Sequence, residues 1–360
     1  MTKALDSKKL GLFIACGIAL CVLPFVVGGA LGNSWVRIVD FALLYVMLAL
    51  GLNIVVGFAG LLDLGFIAFY AVGAYTYALL GSPHFGIHWP FYVTIPLGAL
   101  FAAFFGILLG TPVLRLKGDY LAIVTLGFGE IVRIFMNNLN APVNITNGPQ
   151  GINLIDPIQV AGVDLGTPIS LFGFNMPPVY LYYYLFLALT VVVVIMASRL
   201  QHSRIGRAWV ALREDQIAAS AMGINIRNIK LLAFALGALS GGVAGGLFSA
   251  FQGFVSPESF SLLESIMILA MIVLGGMGNI AGVILGAVVL TIAPEILRDV
   301  IGPLQMKTMG RMLIDPENAR MLLFGIAMVA MMLVRPEGML PSKRRKAEFK
   351  DAKEAAAQKG

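Results

Sequence analysis

Long apolar stretches separated by short polar joints run along the whole of this 360-residue chain. Each stretch is close to the roughly 20 residues with which an α-helix crosses a hydrocarbon core about 30 Å thick. Proline and glycine mark the joints, and runs such as 191–197 (VVVVIMA) lack the alternation of a membrane β-strand. The pattern predicts an all-α fold, a polytopic integral membrane helical bundle of about ten transmembrane helices. The predicted spans are 11–32, 36–58, 61–81, 91–114, 119–138, 179–198, 231–252, 263–278, 281–296 and 321–335.

Composition and charge distribution support this architecture and predict its orientation. Charged residues make up 12% of the chain, against roughly 25% in a soluble domain. Nineteen of the 25 Lys and Arg residues fall in tails and loops that share one side of the membrane, whereas the long loop 139–178 has none. By the positive-inside rule, both termini are expected to be cytoplasmic. Because topology accounts for the net charge of +6, no nucleic-acid partner is expected.

The predicted domain organisation has three parts. Residues 1–10 form a cytoplasmic N-tail, 11–340 the transmembrane domain, and 341–360 a basic, polar cytoplasmic C-tail. Within the domain, the outer loop 139–178 is long enough to fold over the mouth of a path or to meet a periplasmic protein, and a disordered cap is the alternative. The loop 297–320 is expected outside although it carries four basic residues, which makes it the exception to the charge rule.

The inner loop 199–230 is a long polar, basic stretch that contains a short capped helix. Asp215 is a good N-cap with Glu214 beside it, and Gly223 supplies a left-handed stop after about two turns. Such a helix is too short to be stable alone, so we expect it to dock against a separate protein, with a solvated connector as the alternative. The residues expected at this docking surface are Arg213, Glu214, Asp215, Ile217, Ala218, Ala219, Met222, Gly223 and Ile224.

The stretch 206–225 (GRAWVALREDQIAASAMGIN) resembles the cytoplasmic coupling segment of permeases in ATP-binding-cassette importers for branched-chain amino acids, in particular their M-type subunit. The importer motif is Glu-Ala-Ala, three residues and then Gly. Here Ile217 stands at the glutamate position and Gly223 at the glycine position. Further similar stretches extend the resemblance over nearly the whole chain, at 52–75, 116–133, 273–287 and 333–340.

The resemblance implies a transport subunit rather than an enzyme. This permease would move branched-chain or related amino acids into the cytoplasm across a bacterial inner membrane. Its partners would be a homologous H-type permease, two ATP-binding subunits and a periplasmic substrate-binding protein. ATP and Mg²⁺ would be used by the ATP-binding subunits. The sequence contains no Gly-x-x-x-x-Gly-Lys-Ser/Thr loop, in agreement with a chain that binds no cofactor or metal itself.

Two alternatives to this function remain at the level of the sequence. A permease for urea or short amides is the alternative within the class, because related permeases share similar stretches. A self-sufficient ion-coupled secondary transporter is the alternative from another class, with Glu130 as its titrating group. The loop 199–230 distinguishes the two classes, because a self-sufficient transporter has no need of a capped docking helix.

Polar residues inside the predicted spans are candidates for a substrate path, because charge in a bilayer is unfavourable and commonly functional. With a rise of 1.5 Å per residue from the inner boundary of its span, Glu130 lies roughly 16 Å deep, followed by Arg133 and Asn137. These groups could hold the ammonium and carboxylate of an amino acid, or Glu130 and Arg133 could form an internal ion pair. Asn53 and Asp63 are the next candidates. Their alternatives are an interhelical hydrogen bond and a place at the inner interface.

Glycines recur at every fourth residue in two spans, a spacing at which small side chains let helix backbones approach closely in lipid. The residues expected at such packing faces, moving or static, are Gly237, Gly241, Gly245, Gly278, Gly282 and Gly286. Glycine also interrupts the apolar pattern at 57–66 and 275–282, one stretch in each half of the chain. Broken helices at matching places can mark a transport path, so both stretches are predicted breaks.

Overall fold

The structure is a computed structural model and is mainly helical. The residues that it describes are 7–113, 116, 118–160, 162–171, 174–309, 325–326, 329–330, 333–335 and 338–341. Among these residues, the helices that are long and apolar enough to cross a membrane, by length and composition, are Asn33–Phe58, Phe91–Val113, Pro178–Gln201, Ile226–Gln252 and Ile280–Asp299. The predicted class is confirmed: the chain is an all-α, multi-pass membrane protein. The number of about ten spans and the orientation of the termini stay predictions.

Most α-helices of the described residues coincide with a predicted span, although several boundaries differ. Their bounds are α1 Ser7–Leu31, α2 Asn33–Asn53, α3 Ile67–Leu80, α4 Phe91–Val113, α5 Asp119–Asn138, α6 Pro178–Gln201, α7 Arg204–Glu214, α8 Gln216–Ala221, α9 Ile226–Gln252, α10 Leu262–Gly275 and α11 Ile280–Met309. A π-helical turn, Ile54–Phe58, continues α2, and 3₁₀ turns lie at Gly148–Gln150 and Pro257–Phe260. Most of the predicted tenth span, 321–335, and of both tails lies outside the described residues.

Helix α9 lies at the centre of the bundle because small residues line it on two sides. Toward α2, a Cβ at Gly237 would lie 3.0 Å from the carbonyl oxygen of Gly51. Gly241 and Gly245 continue this face toward α3, whereas a Cβ at Gly242 would lie 2.8 Å from a carbonyl oxygen of α4. The glycine repeat of α9 therefore brings its backbone against α2 and α3, and Gly242 brings it against α4, as small residues do in membrane bundles.

The second set of glycines does not share one helix face. Gly282 and Gly286 lie on α11 and face α10, where a Cβ at Gly286 would lie 2.8 Å from the amide nitrogen of Gly275. Gly278 precedes α11, in the turn after α10, with φ of +79°. The prediction that Gly278 belongs to a helical glycine repeat is therefore wrong. It lies in a turn that needs left-handed backbone, which glycine adopts without steric strain.

Helices α3 and α10 are half-length helices that follow breaks in the chain. Each has 14 residues and is therefore about 21 Å long, short of a full membrane crossing. The irregular segment 59–66 precedes α3, and the segment 253–261 precedes α10. Their first turns meet, because the backbone N–H of Ile67 donates to Ser265 Oγ at 3.2 Å. The predicted helix 61–81 is thus shortened, since its first six residues belong to the break.

The second predicted break is displaced from its expected place. The interruption lies at 253–261, before α10, whereas 276–279 is the turn between α10 and α11. Glycine suits both a turn and a break, so composition alone does not separate them. The boundary of α11 also differs from the prediction. The helix runs on to Met309, through part of the expected loop 297–320, and Arg298 pairs with Glu295 one turn earlier at 3.0 Å.

The segment between α5 and α6 carries short antiparallel strands. Strand β2 (Gln159–Val160) pairs with β3 (Val163–Asp164), and β4 (Ile169–Leu171) pairs with β5 (Phe174–Met176). The remaining pair joins β1 (Ile152–Asn153) to β6 (Phe254–Val255), just beyond the C-terminal end of α9.

The pairing of β1 with β6 places the loop between α5 and α6 at the C-terminal end of α9, apart from the inner loop 199–230. The N-terminal turn of α9 instead contacts α7, where Trp209 Nε1 donates to the carbonyl oxygen of Ile229 at 2.9 Å. The strands therefore lie at one end of α9, and α7 with α8 lies at the other.

Candidate functional site

The inner loop contains two consecutive helices, and sequence reasoning found only the second. Helix α7 begins after Ser203, whose Oγ accepts a hydrogen bond from the backbone N–H of Gly206 at 3.1 Å. Its buried side includes Trp209 and Leu212, both almost inaccessible to solvent. The missed signal is local, because Ile205, Trp209 and Leu212 follow an N-cap at helical spacing. Helix α7 therefore packs on the bundle and carries α8 beyond it.

Helix α8 has both of the predicted caps in its geometry. Asp215 Oδ1 accepts hydrogen bonds from the backbone N–H groups of Ile217 at 2.6 Å and Ala218 at 3.0 Å. Gly223 takes the left-handed conformation, with φ of +82°. The amide of Ile224 then donates to the carbonyl oxygen of Ala219 at 3.1 Å and closes the C-terminal end. These local hydrogen bonds close both ends of a short helix at the end of the bundle.

Helix α8 presents apolar side chains outward. Ile217 is 75% exposed and Met222 is 84% exposed, whereas Ala219 is buried against the bundle. Ala218 and Gly223 are also exposed, and Ile224 is half-buried. Large apolar side chains grouped on one short exposed helix form a surface that a protein partner would cover.

The charged residues at the start of α8 point in different directions. Glu214 and Asp215 are exposed beside the N-terminus of α8, as expected for a rim. Arg213 instead is half-buried, and its Nη1 donates to the carbonyl oxygen of Gly57 at 2.8 Å. The structure therefore places Arg213 against the membrane domain, whereas Ile217 and Met222 are exposed.

Asn53 lies in the buried contact between α2 and the α10–α11 turn. Its Oδ1 accepts a hydrogen bond from the backbone N–H of Gly278 at 2.9 Å, and Gln201 Nε2 donates to the carbonyl oxygen of Gly278 at 3.2 Å. A Cβ at Gly57 would lie 2.7 Å from the Gly278 nitrogen, so both positions are packed at backbone distance. This geometry favours the interhelical hydrogen bond over a path contact for Asn53.

Asp63 lies in the break between α2 and α3 and is completely buried. Its Oδ1 accepts from the backbone N–H of Gly65 at 2.9 Å, which shapes the irregular backbone. The neighbouring amide of Leu64 donates to Thr125 Oγ1 of α5 at 3.0 Å. Asp63 thus supports a turn that touches α5.

The polar residues of α5 form a network with a residue that sequence reasoning missed. Arg133 Nη2 pairs with Glu130 Oε1, and Arg133 Nη1 lies 3.1 Å from both carboxylate oxygens of Glu258. Asn137 Nδ2 approaches Glu258 Oε1 at 3.5 Å. Glu258 follows Pro257 in the break before α10. Only a correct prediction of that break could have indicated Glu258 from the sequence. The network links α5 to the segment before α10 and leaves both carboxylates partly exposed.

We expect Arg133→Gln to lower the thermal unfolding midpoint of the detergent-solubilised protein more than Glu130→Gln does. The arginine change removes two ion pairs and leaves two carboxylates close together, whereas Glu130→Gln keeps the pair with Glu258. Because these side chains are partly exposed, each pair contributes on the order of 1 kcal/mol or less. A larger loss with Glu130→Gln than with Arg133→Gln would contradict the central place of Arg133. Glu258→Gln serves as the matched control for the other pair.

Known proteins resemble this chain over most of its length. A family model described as branched-chain amino acid transport system / permease component matches residues 34–332. The high-affinity branched-chain amino acid transport system permease protein LivM of Escherichia coli K12 is 42% identical over 359 residues, which cover 96% of this chain and 78% of that protein. The probable branched-chain amino acid transport permease protein LivM of Methanocaldococcus jannaschii is 27% identical over 282 residues, which cover 76% of this chain and 74% of that protein.

A shorter similarity connects the chain to a second kind of permease. The high-affinity branched-chain amino acid transport system permease protein LivH of Escherichia coli K12 is 37% identical over 94 residues, or 26% of this chain and 30% of that protein. No solved structure matches the chain. Because the family model covers most of the sequence and LivM aligns with nearly all of it, this chain belongs to the family of branched-chain amino acid transport system permease components.

Proposed function

We propose that this chain is the permease subunit of an ATP-binding-cassette importer that moves branched-chain or related amino acids into the cytoplasm. The observation that carries the mechanism is the capped helix α8, with Ile217 and Met222 exposed beyond the bundle. A short amphipathic helix that enters a groove on a partner is a recurring mode of protein recognition. The partner in this proposal is a separate ATP-binding subunit, and α8 is the coupling helix.

The membrane orientation follows from the same proposal. Helix α8 faces the cytoplasm, where ATP is available, and both termini lie on that side, in agreement with the excess of Lys and Arg. The strands at the opposite end of α9 then face the periplasm of a bacterial inner membrane. In that position the loop 139–178 is available to a periplasmic substrate-binding protein.

The complete importer contains further subunits. A homologous permease related to LivH would lie beside this chain, since the local similarity to LivH suggests two related permeases in one transporter. Two ATP-binding subunits would use ATP and Mg²⁺, while this chain itself binds no cofactor and is not an enzyme. ATP binding would bring the coupling helices together and open the path outward, and hydrolysis would reset it inward. The polar network around Arg133 is the candidate for a part of that path.

The test is purification of this chain in mild detergent from its own cells, with identification of the proteins that accompany it. We expect two ATP-binding subunits and a second permease. Reconstitution of this assembly in proteoliposomes, with the binding protein, should give leucine uptake that requires ATP. Uptake of urea or acetamide in place of leucine would assign the chain to the related amide permeases. A chain that purifies alone and transports without ATP would refute the proposal, and loss of that transport in Glu130→Gln would identify an ion-coupled transporter.

A further inference from the structure

We propose that Arg213 is a positioning residue that ties the coupling helix to the π-helical turn Ile54–Phe58 and the broken segment 59–66, so that a displacement of α8 reaches the interior of the membrane domain. This inference rests on the proposed function of α8. It assigns to Arg213 a contact within this chain, whereas the sequence alone suggests a contact with the ATP-binding subunit. Four observations support it.

The contact of Arg213 with the chain just after α2 is close and depends on glycine. The guanidinium donates from Nη1 to the carbonyl oxygen of Gly57 at 2.8 Å. The stem of the same side chain crosses Gly60, where a Cβ would lie 2.6 Å from Arg213 Cγ. Gly60 also has φ of +70°, a conformation strained for other residues. A side chain at position 60 would therefore move Arg213 away from the Gly57 carbonyl oxygen.

The partner of Arg213 lies in a π-helical turn. Residues 54–58 extend α2 with i to i+5 hydrogen bonding, as in the bond from the Ala59 amide to the Ile54 carbonyl oxygen at 3.2 Å. The last carbonyl oxygens of a helix lack intrahelical donors, and a cation is favourable there. A π-helical turn inside an α-helix is a rare arrangement that is frequent at functional sites. In this proposal the turn changes between π and α hydrogen bonding, and Arg213 biases that change.

Arg213 moves with α8 because almost no chain separates them. Asp215, the N-cap of α8, lies two residues after Arg213, and its amide donates to the carbonyl oxygen of Ala211 at 3.2 Å. Trp209 holds the middle of α7 to the first turn of α9. Because α7 is held at Trp209 and continues almost directly into α8, a displacement of α8 must either shift Arg213 or break its hydrogen bond.

The segment beyond Gly57 reaches two other helices of the bundle. The amide of Leu64 donates to Thr125 Oγ1 of α5 at 3.0 Å, and the amide of Ile67 donates to Ser265 Oγ of α10 at 3.2 Å. Thr125 lies on the helix that carries Glu130 and Arg133. The contacts are thus continuous from α8 through Arg213 and the π-helical turn to α5, the helix of the polar network, and to α10. Spatial continuity becomes coupling only where an element has two states, and the proposal assigns that role to the π-helical turn.

The test compares Arg213→Met with Arg207→Met in the complete importer, reconstituted with its ATP-binding subunits in proteoliposomes. Arg207 lies on the same helix, is exposed, and contacts the carbonyl oxygen of His202 within the loop. Leucine uptake and ATP hydrolysis are measured in one preparation. We expect Arg213→Met to lower the leucine transported per ATP hydrolysed at least tenfold while the ATP-binding subunits stay bound. Arg207→Met should leave this ratio unchanged.

Two further variants keep the test independent of folding defects. Gly60→Ala displaces the Arg213 stem from the other side of the contact and should lower the ratio similarly, whereas Arg213→Lys, which keeps a charged donor, should retain an intermediate ratio. A merely structural role would lower uptake and hydrolysis together. Wild-type ratios in both Arg213→Met and Gly60→Ala would overturn the inference and leave the proposed function intact. An unmodified assembly that takes up leucine without ATP would overturn both.

Discussion

Replacement of both Ile217 and Met222 with aspartate is expected to release the ATP-binding subunits from this chain and to abolish ATP-dependent uptake. Both side chains are largely exposed in the isolated chain, so the change removes no packing from the bundle. In the assembled importer they would be the apolar anchors of a helix in a groove, and anchors of this kind contribute about 2 kcal/mol or more each. Two charges in their place should weaken binding by a factor on the order of a thousand.

Retention of the ATP-binding subunits in a detergent pull-down measures this effect directly, beside ATP-dependent leucine uptake in proteoliposomes. Val163→Asp is the matched control, because it places the same charge on an exposed apolar residue of the strands at the opposite end of α9. It should insert in the membrane and retain the subunits like the unmodified chain. Stoichiometric retention by the Ile217→Asp/Met222→Asp variant would show that α8 is not the docking element.

Gly245→Val is expected to cause a large loss of stability. A Cβ at this position would overlap the carbonyl oxygen of Tyr70 and lie 2.7 Å from the amide nitrogen of Ala74. Both neighbours are backbone atoms of α3, which cannot move away as a flexible side chain can. Overpacking in a well-packed interior costs about 1–3 kcal/mol, and we expect the upper end of that range here because α9 lies at the centre of the bundle.

The unfolding midpoint of the detergent-solubilised protein, followed by intrinsic fluorescence, measures this loss. Gly29→Val is the control, because it adds the same branched side chain in the helix α1 at a position with open space within 4 Å. It should leave the midpoint nearly unchanged. Equal midpoints for Gly245→Val and the unmodified protein would contradict the close contact between α9 and α3.

Predictions from the sequence succeeded where the relevant interactions are local. The apolar stretches locate the helices of the described residues, because an α-helix satisfies its own backbone hydrogen bonds within one segment. The caps of α8 were equally predictable, since Asp215 and Gly223 act within three residues of their partners. Helix α7 was missed although its N-cap and apolar spacing are local too.

Predictions failed or stayed open where distant segments meet. Glycine at 275–282 indicated a break, but the break before α10 lies at 253–261, where contacts with β1 and α5 shape the chain. The pair Glu130 and Arg133 was recognisable from its spacing on one helix. Its third member, Glu258, is 125 residues away from Arg133 along the chain, and hydrophobic periodicity does not predict contacts between such distant residues.

The sequence by itself determined that this chain is a multi-pass helical membrane protein with a capped helix in a polar loop, because helix periodicity, hydropathy and capping depend on residues a few positions apart. Only the tertiary structure decided the direction of Arg213. In the sequence it stands beside Glu214 and Asp215 as one of three charges at a helix terminus. In the fold its guanidinium donates to the carbonyl oxygen of Gly57, 156 residues earlier in the chain. This contact forms because the π-helical turn after α2 exposes that oxygen and Gly60 has no side chain to block the arginine.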